Sequence, residues 1–240
     1  MALQAALRLL FPPQCLTCDA LVTDDFGLCA TCWRDTPFIA GTVCDRCGVP
    51  LPGADDGGPA ICDDCLRIAR PWARGRAAMV YSGNGRRLVL ALKHGDRLDL
   101  ARPAGAWLAR AARPILVPGM LVAPVPVHWW RLVRRRFNQA AVLSAALAER
   151  TGLEHCPDLL LRIRATGTQD GRDRDGRFRN VAGAIRPHPR RAARLPGRHV
   201  LLVDDVFTSG ATLAVAAEAC LAGGAAAVSV LTLARVAKDP

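Results

Sequence analysis

Residues 200–212 read V-L-L-V-D-D-V-F-T-S-G-A-T. Val200 to Val203 are consecutive apolar residues, the pattern of a short strand buried on both faces. Asp204 and Asp205 stand where that strand should end, and 208–212 are small or hydroxylated. The run 213–221 then reads as helix. The expected unit is a strand, a tight loop and a helix N-terminus. Such a loop turns unpaired backbone N–H groups, and the positive end of a helix dipole, toward one point. Gly210 and Ala211 let a phosphate come close to the backbone, while Thr208, Ser209 and Thr212 add hydroxyl donors. The two carboxylates repel a phosphate, so they suit sugar hydroxyls or a magnesium ion beside them. A ribose against the acids, with its phosphate in the loop, satisfies every group. A plain buried strand with an acidic end and a capped helix is the alternative. The order and length of the run favour the ligand site.

Composition sets the frame. The chain has 240 residues, 51% of them hydrophobic, which is room for one substantial domain and a small one. Its net charge of +11 is uneven: residues 1–70 carry 5 basic and 9 acidic groups, residues 71–240 carry 27 and 12. The second part suits polyanions, either nucleic acid or phosphorylated metabolites. Lysine occurs only at 93 and 238, and alanine is abundant. A G+C-rich genome produces the same arginine bias without functional demand. Residues 2–11 lack a basic leader and a cleavage site, and read as a short docked helix. The apolar run 210–234 contains Glu218 and Gly223-Gly224, so it divides into a helix and a strand rather than a membrane span. A soluble cytoplasmic protein is expected.

Eight of the ten cysteines form four C-x-x-C pairs: Cys15/Cys18, Cys29/Cys32, Cys44/Cys47 and Cys62/Cys65. Each pair turns two thiolates toward one point, and two pairs supply the tetrahedral set zinc prefers. Two structural Zn²⁺ ions follow, paired sequentially in the simplest arrangement or interleaved in another. Disulfides need an oxidising compartment, and a thioredoxin-like site needs one such pair, not four. Four sulfur ligands leave no open position for chemistry. Cys156 and Cys220 stand alone and read as small core residues.

Beyond residue 70 strands alternate with helices. Strands are expected over 77–81, 120–127, 181–185, 200–203 and 227–234. Helices are expected over 86–94, 100–112 and 213–221, with a further one capped by Asn138 and ended by Gly152. Residues 128–137 read as a basic loop. This alternation implies an α/β fold, a parallel sheet with helices on both faces, whose ligands bind at the strands' carboxyl ends. The domain division is 1–70 for the zinc module and 71–240 for the α/β domain.

The 200–212 run resembles the PRPP (phosphoribosyl pyrophosphate) signature of type I phosphoribosyltransferases. In that family the acid pair binds the ribose hydroxyls and the loop binds the 5′-phosphate. The resemblance implies PRPP binding by Asp204, Asp205, Thr208, Ser209, Gly210, Ala211 and Thr212, with Mg²⁺ accompanying the PRPP. The pyrophosphate end needs cations, and Arg134, Arg135 and Arg136 precede a helix N-terminus. Residues 166–180, T-G-T-Q-D-G-R-D-R-D-G-R-F-R-N, are glycine-rich and could close over the ligand. Four zinc knuckles, Pro124-Val125-Pro126 with His128, Phe137-Asn138-Gln139-Ala140, Thr166 with Gln169, Arg177 with Asn180, and the PRPP signature together resemble the ComF family of competence proteins. That resemblance covers nearly the whole chain. It implies a type I phosphoribosyltransferase fold behind a double zinc ribbon, with Arg135, Gln169 and Arg177 as catalytic residues.

Three functions follow as expectations. One is Mg²⁺-dependent phosphoribosyl transfer to an unknown acceptor. Another is a nucleic-acid-binding accessory of DNA uptake, with single-stranded DNA and competence-machinery proteins as partners and Trp129 and Trp130 stacking on bases. The third is an adaptor without catalysis, which the intact acid pair disfavours.

Overall fold

The computed structural model describes residues 11–53, 57–94, 97–135, 137–164 and 183–237. Two short helices lie in the cysteine-rich part, α1 (Ala30–Asp35) and α2 (Asp63–Arg67). There follow β1 (Arg74–Val80), α3 (Gly83–His94), α4 (Ala101–Ala112), β2 (Leu121–Pro124), α5 (Trp129–Arg135) and α6 (Gln139–Thr151). The chain continues through β3 (Glu154–His155), β4 (Leu160–Arg162), β5 (Ile185–Pro187), β6 (His199–Phe207), α7 (Ala211–Ala222) and β7 (Ala227–Arg235).

Five strands form one parallel sheet in the order β1-β7-β6-β2-β3. The unbroken apolar run of β6 serves both faces. Val200 and Leu202 join one core with Leu213, Ala216 and Ala217 of α7, and Leu201 and Val203 join the other with Leu108, Leu143 and Leu147 of α4 and α6. This is the expected α/β architecture. Helix α7 is apolar nearly all round because β4 and β5 cover its far side.

Asn138 caps α6 as expected, its Oδ1 accepting from the Ala140 N–H at 3.0 Å. Gly152 ends the helix in the left-handed conformation at φ 69°. Cys156 and Cys220 are both fully buried, and burial pushes the Cys220 thiol up to about 12.

Several expectations need correction. Strand β6 does not stop at Val203 but runs on to Phe207, because β7 pairs with it that far, Phe207 opposite Arg235. The acid pair therefore lies inside the strand. The run 128–137 is not a loop: Trp129–Arg135 contains no glycine or proline and closes a short helix, with the Leu132 N–H donating to the His128 carbonyl. Helix α3 begins at Gly83, earlier than expected. The strand expected over 181–185 appears as β5 at Ile185–Pro187, antiparallel to β4, and 181–182 lie outside the described residues. The docked helix expected over 2–11 lies outside them too, apart from residue 11. Among the described residues no helix is long and apolar enough to cross a membrane.

The cysteine-rich part docks along β1. The Asp45 carboxylate accepts from Arg76 at 2.6 Å and Arg74 at 3.1 Å, and its main-chain carbonyl accepts from the Gly75 N–H at 2.8 Å. Burial disfavours the Asp45 charge, but these two guanidinium groups hold its carboxyl below the usual range. The backbones approach so closely that a Cβ at Gly75 would sit 2.5 Å from the Arg46 carbonyl oxygen.

Candidate functional site

From β2 the chain moves outward to β3, and from β6 it moves the other way to β7. Strands β2 and β6 are neighbours, so the winding reverses between them and leaves a crevice at their carboxyl ends. Strand β2 stops at Pro124, opposite Val203. Past that point β6 keeps β7 on one flank, while the other flank opens on the crevice. Asp204 and Asp205 occupy that stretch. The Asn138 side chain pins the crevice's far wall by donating to the Val125 carbonyl at 3.1 Å.

The two aspartates differ in environment. The Asp204 Oδ1 accepts from the Asp205 N–H at 2.9 Å, and the Asp205 Oδ2 pairs with the Lys93 ammonium at 3.0 Å. Burial first, and the Asp205 charge second, push the Asp204 carboxyl up to about 7; Lys93 and Arg162 oppose that rise. The folded protein thus favours protonated Asp204. Stability from this group is complete below its ordinary value of 3.8 and is lost as pH rises through about 7. Asp204→Asn cannot ionise and escapes that loss. Its thermal stability should match wild type near pH 4 and exceed it at pH 8 by roughly 2–4 kcal/mol. Equal pH profiles for the two proteins would refute this assignment.

The loop after β6 is turned by its own backbone. Gly210 is the N-cap of α7 at φ 81°. The carbonyls of Phe207 and Thr208 accept from the Arg235 guanidinium at 3.1 and 3.0 Å, and that of Ser209 accepts from Arg70 at 2.9 Å. In a trans peptide the N–H points opposite to the preceding C=O, and the described residues contain no cis bond. Carbonyls drawn inward at 207–209 therefore aim the N–H groups of 208–210 outward. Thr208 is exposed, and Ser209 and Thr212 are half-buried. The loop thus turns main-chain N–H groups outward directly after two carboxylates in the chain.

The cysteines gather into two sets, Cys15/Cys18/Cys29/Cys32 and Cys44/Cys47/Cys62/Cys65, with the sulfur atoms of each set within 4.8 Å of one another. The sequential pairing is the one adopted. Four sulfurs at that spacing fit a tetrahedral zinc, and main-chain N–H groups of Cys29 and Cys32 donate to the sulfurs of Cys15 and Cys29 at 3.3 and 3.4 Å, as thiolates require.

Of the other expected site residues, Arg136, Gln169, Arg177 and the whole 166–180 segment lie outside the described residues. Arg135 is described only as the last residue of α5, without its side chain. Reading by motif passed over Lys93, Arg70 and Arg235. Lys93 carried one signal, as one of only two lysines in the chain.

Fold and site together define an α/β domain with an acid pair and a glycine-turned loop at the end of β6, joined to two tetracysteine zinc sites. Residues 6–66 match the family model of the double zinc ribbon domain. The DNA utilization protein YhgH of Escherichia coli (strain K12) is 33% identical over 233 residues, spanning 93% of this chain and 97% of that protein. Competence protein F of Haemophilus influenzae is 27% identical over 193 residues, or 78% of this chain and 81% of that one. Competence protein ComFC of Bacillus subtilis is 26% identical over 92% of this chain and 94% of its own. The chain belongs to the ComF family. Among solved structures, the glutamine phosphoribosylpyrophosphate amidotransferase from B. subtilis is 16% identical with a TM-score of 0.41, covering 60% of this chain and 30% of that one. Protein TT1426 from Thermus thermophilus is 21% identical with a TM-score of 0.37, covering 58% and 85%.

Proposed function

We propose that the crevice between β2 and β6 binds PRPP and that the protein transfers its phosphoribosyl group to an acceptor. One observation carries this reading: the carbonyls of 207–209 are held by Arg235 and Arg70, which frees the N–H groups on the opposite side of those peptides, in the loop that directly follows the acid pair. The 5′-phosphate lies in the loop Thr208–Thr212. Asp204 and Asp205 accept from the ribose hydroxyls. Transfer breaks the bond from C1 to the pyrophosphate oxygen and forms one from C1 to the acceptor, whose proton is lost. Mg²⁺, when bound, neutralises charge on the departing pyrophosphate. Arg135, with Gln169 and Arg177 from the 166–180 segment, is assigned to stabilising that leaving group and closing the site. On this reading residues 71–240 are the catalytic domain and 1–70 a zinc module that braces it. Tetrathiolate sites need reduced cysteines, which favours a cytoplasmic location.

Titration calorimetry with PRPP and Mg²⁺ tests binding, and a screen of acceptors for pyrophosphate release tests transfer. One PRPP per chain, with release stimulated by some acceptor, is expected; no heat at millimolar PRPP would reject the site. Gly210→Ala should weaken PRPP binding about tenfold or more. Its Cβ would lie 2.6 Å from the Phe207 ring and 2.9 Å from the Arg70 Nη1, at a φ that costs a side chain about 1–2 kcal/mol. Unchanged affinity in this variant would mean the loop does not hold the phosphate.

A second reading has its own support. Trp129 and Trp130 stack at 4.4 Å and are 55% and 61% exposed, just past the carboxyl end of β2. Relatives are named for DNA utilization and competence. Single-stranded DNA bound by this pair should quench tryptophan fluorescence and dissociate steeply with salt. No affinity at low salt would remove this reading.

A further inference from the structure

Arg70, at the end of the zinc module, and Arg235, at the end of β7, converge beneath the loop. Both are nearly buried, at 9% and 5% exposure, and among the described residues neither has a carboxylate partner. Both guanidinium groups lie over the loop's aromatic base: Arg235 lies 4.2 Å and Arg70 5.5 Å from the Phe207 ring centre. Two buried cations need a counter-charge. The second cysteine set provides it. The Arg235 Nη2 lies 3.9 Å from the Cys47 sulfur, and Arg70 stands five residues beyond Cys65 in the chain. Four thiolates around Zn²⁺ carry a net charge of −2, which the two guanidinium groups balance. Trp72 closes the unit, with its ring edge-on to Phe207 at 5.8 Å and its indole N–H donating to the Arg46 carbonyl at 2.6 Å. Arg46 lies between Cys44 and Cys47 in the knuckle.

We propose that Arg70 and Arg235 are positioning residues that lock the phosphate loop to the second zinc site, so that a loop ligand and that zinc hold each other in place. The Arg235 guanidinium contacts the Cys47 sulfur on one side and the Phe207 and Thr208 carbonyls on the other, while Arg70 ties the end of the cysteine-rich part to the Ser209 carbonyl. Loss of the zinc removes the counter-charge, releases the arginines and lets the carbonyls at 207–209 turn outward. A phosphate in the loop opposes that turn. Coupling of this kind is reciprocal. It rests on the loop's being a phosphate site, as proposed above.

The test uses ribose 5-phosphate, which fills the loop without magnesium. The full-length protein is treated with a zinc-selective chelator and an alkylating reagent, and each cysteine set is followed by peptide mass spectrometry. Saturating ribose 5-phosphate should slow alkylation of Cys44, Cys47, Cys62 and Cys65 roughly tenfold and leave Cys15, Cys18, Cys29 and Cys32 unchanged. Arg70→Gln should speed alkylation of the second set alone and abolish the ligand's protection, with partial rescue in Arg70→Lys. Equal protection of both sets would indicate global stabilisation and overturn the coupling, as would calorimetrically measured binding with no protection. Absence of any binding would instead overturn the phosphate-site reading, and the coupling with it. If Arg70→Gln does not fold, the comparison of the two sets in the wild type still decides.

Discussion

Asp204→Asn/Asp205→Asn should bind PRPP with Mg²⁺ roughly 30- to 150-fold more weakly than wild type while remaining folded. At pH 8, above the raised value of Asp204, each substitution keeps an acceptor oxygen but removes a charge, and a hydrogen bond to a charged group exceeds a neutral one by about 1–1.5 kcal/mol. Two such losses come to about 2–3 kcal/mol. The fold should survive because ionised Asp204 works against it: burial already drives that carboxyl toward its neutral form. The Asp205 change leaves the Lys93 ammonium without its 3.0 Å partner, but that lysine is half-buried and reaches water. Calorimetry on both proteins, with melting curves alongside, checks this. Binding that survives in a folded double variant would show that the acids do not hold the ribose.

Cys47→Ser should damage the whole protein, whereas Cys18→Ser should damage the ribbon locally. Cys44 and Cys47 have no exposure and pack in one core with Trp72, Phe207 and Val230, while Cys18 is exposed. Structural zinc contributes about 10–16 kcal/mol in isolated zinc modules, comparable to the total stability of a domain, about 5–15 kcal/mol. Loss of the second ion also strips two buried arginines of their counter-charge. We therefore expect Cys47→Ser to lose one zinc per chain, most of its cooperative melting transition and its PRPP binding. Cys18→Ser should lose one zinc and retain both other properties. Zinc stoichiometry, melting and calorimetry on the two variants decide, and matching behaviour would contradict the asymmetry.

These predictions draw on different parts of the sequence's legibility. The run 200–212 was readable because each step is local: an apolar strand, two acids, then residues that permit a loop. The cysteine sets were readable because C-x-x-C spacing brings two sulfurs together whatever the surrounding fold. Capping by Asn138 and Gly152 was readable for the same reason. What escaped depends on distant parts of the chain. The acids lie within β6 because β7 pairs with it as far as Phe207, a fact about a neighbouring strand. Strands β3 and β4 have two and three residues, too few for a period to show. Helix α5 was hidden by its arginines, which suggested a solvated loop. Arg70 and Arg235 looked like two more surface charges in an arginine-rich chain; only the docking of the second cysteine set beneath the loop makes them structural cations. Lys93 finds Asp205 across more than a hundred residues, a pairing that no spacing rule anticipates.

The most direct test of the account is a crystal structure of the protein with bound ribose 5-phosphate. The account predicts the phosphate among the N–H groups of residues 208–212 and the ribose hydroxyls within hydrogen-bond distance of the Asp204 and Asp205 carboxylates. A phosphate bound elsewhere, with the loop amides facing solvent, would contradict it.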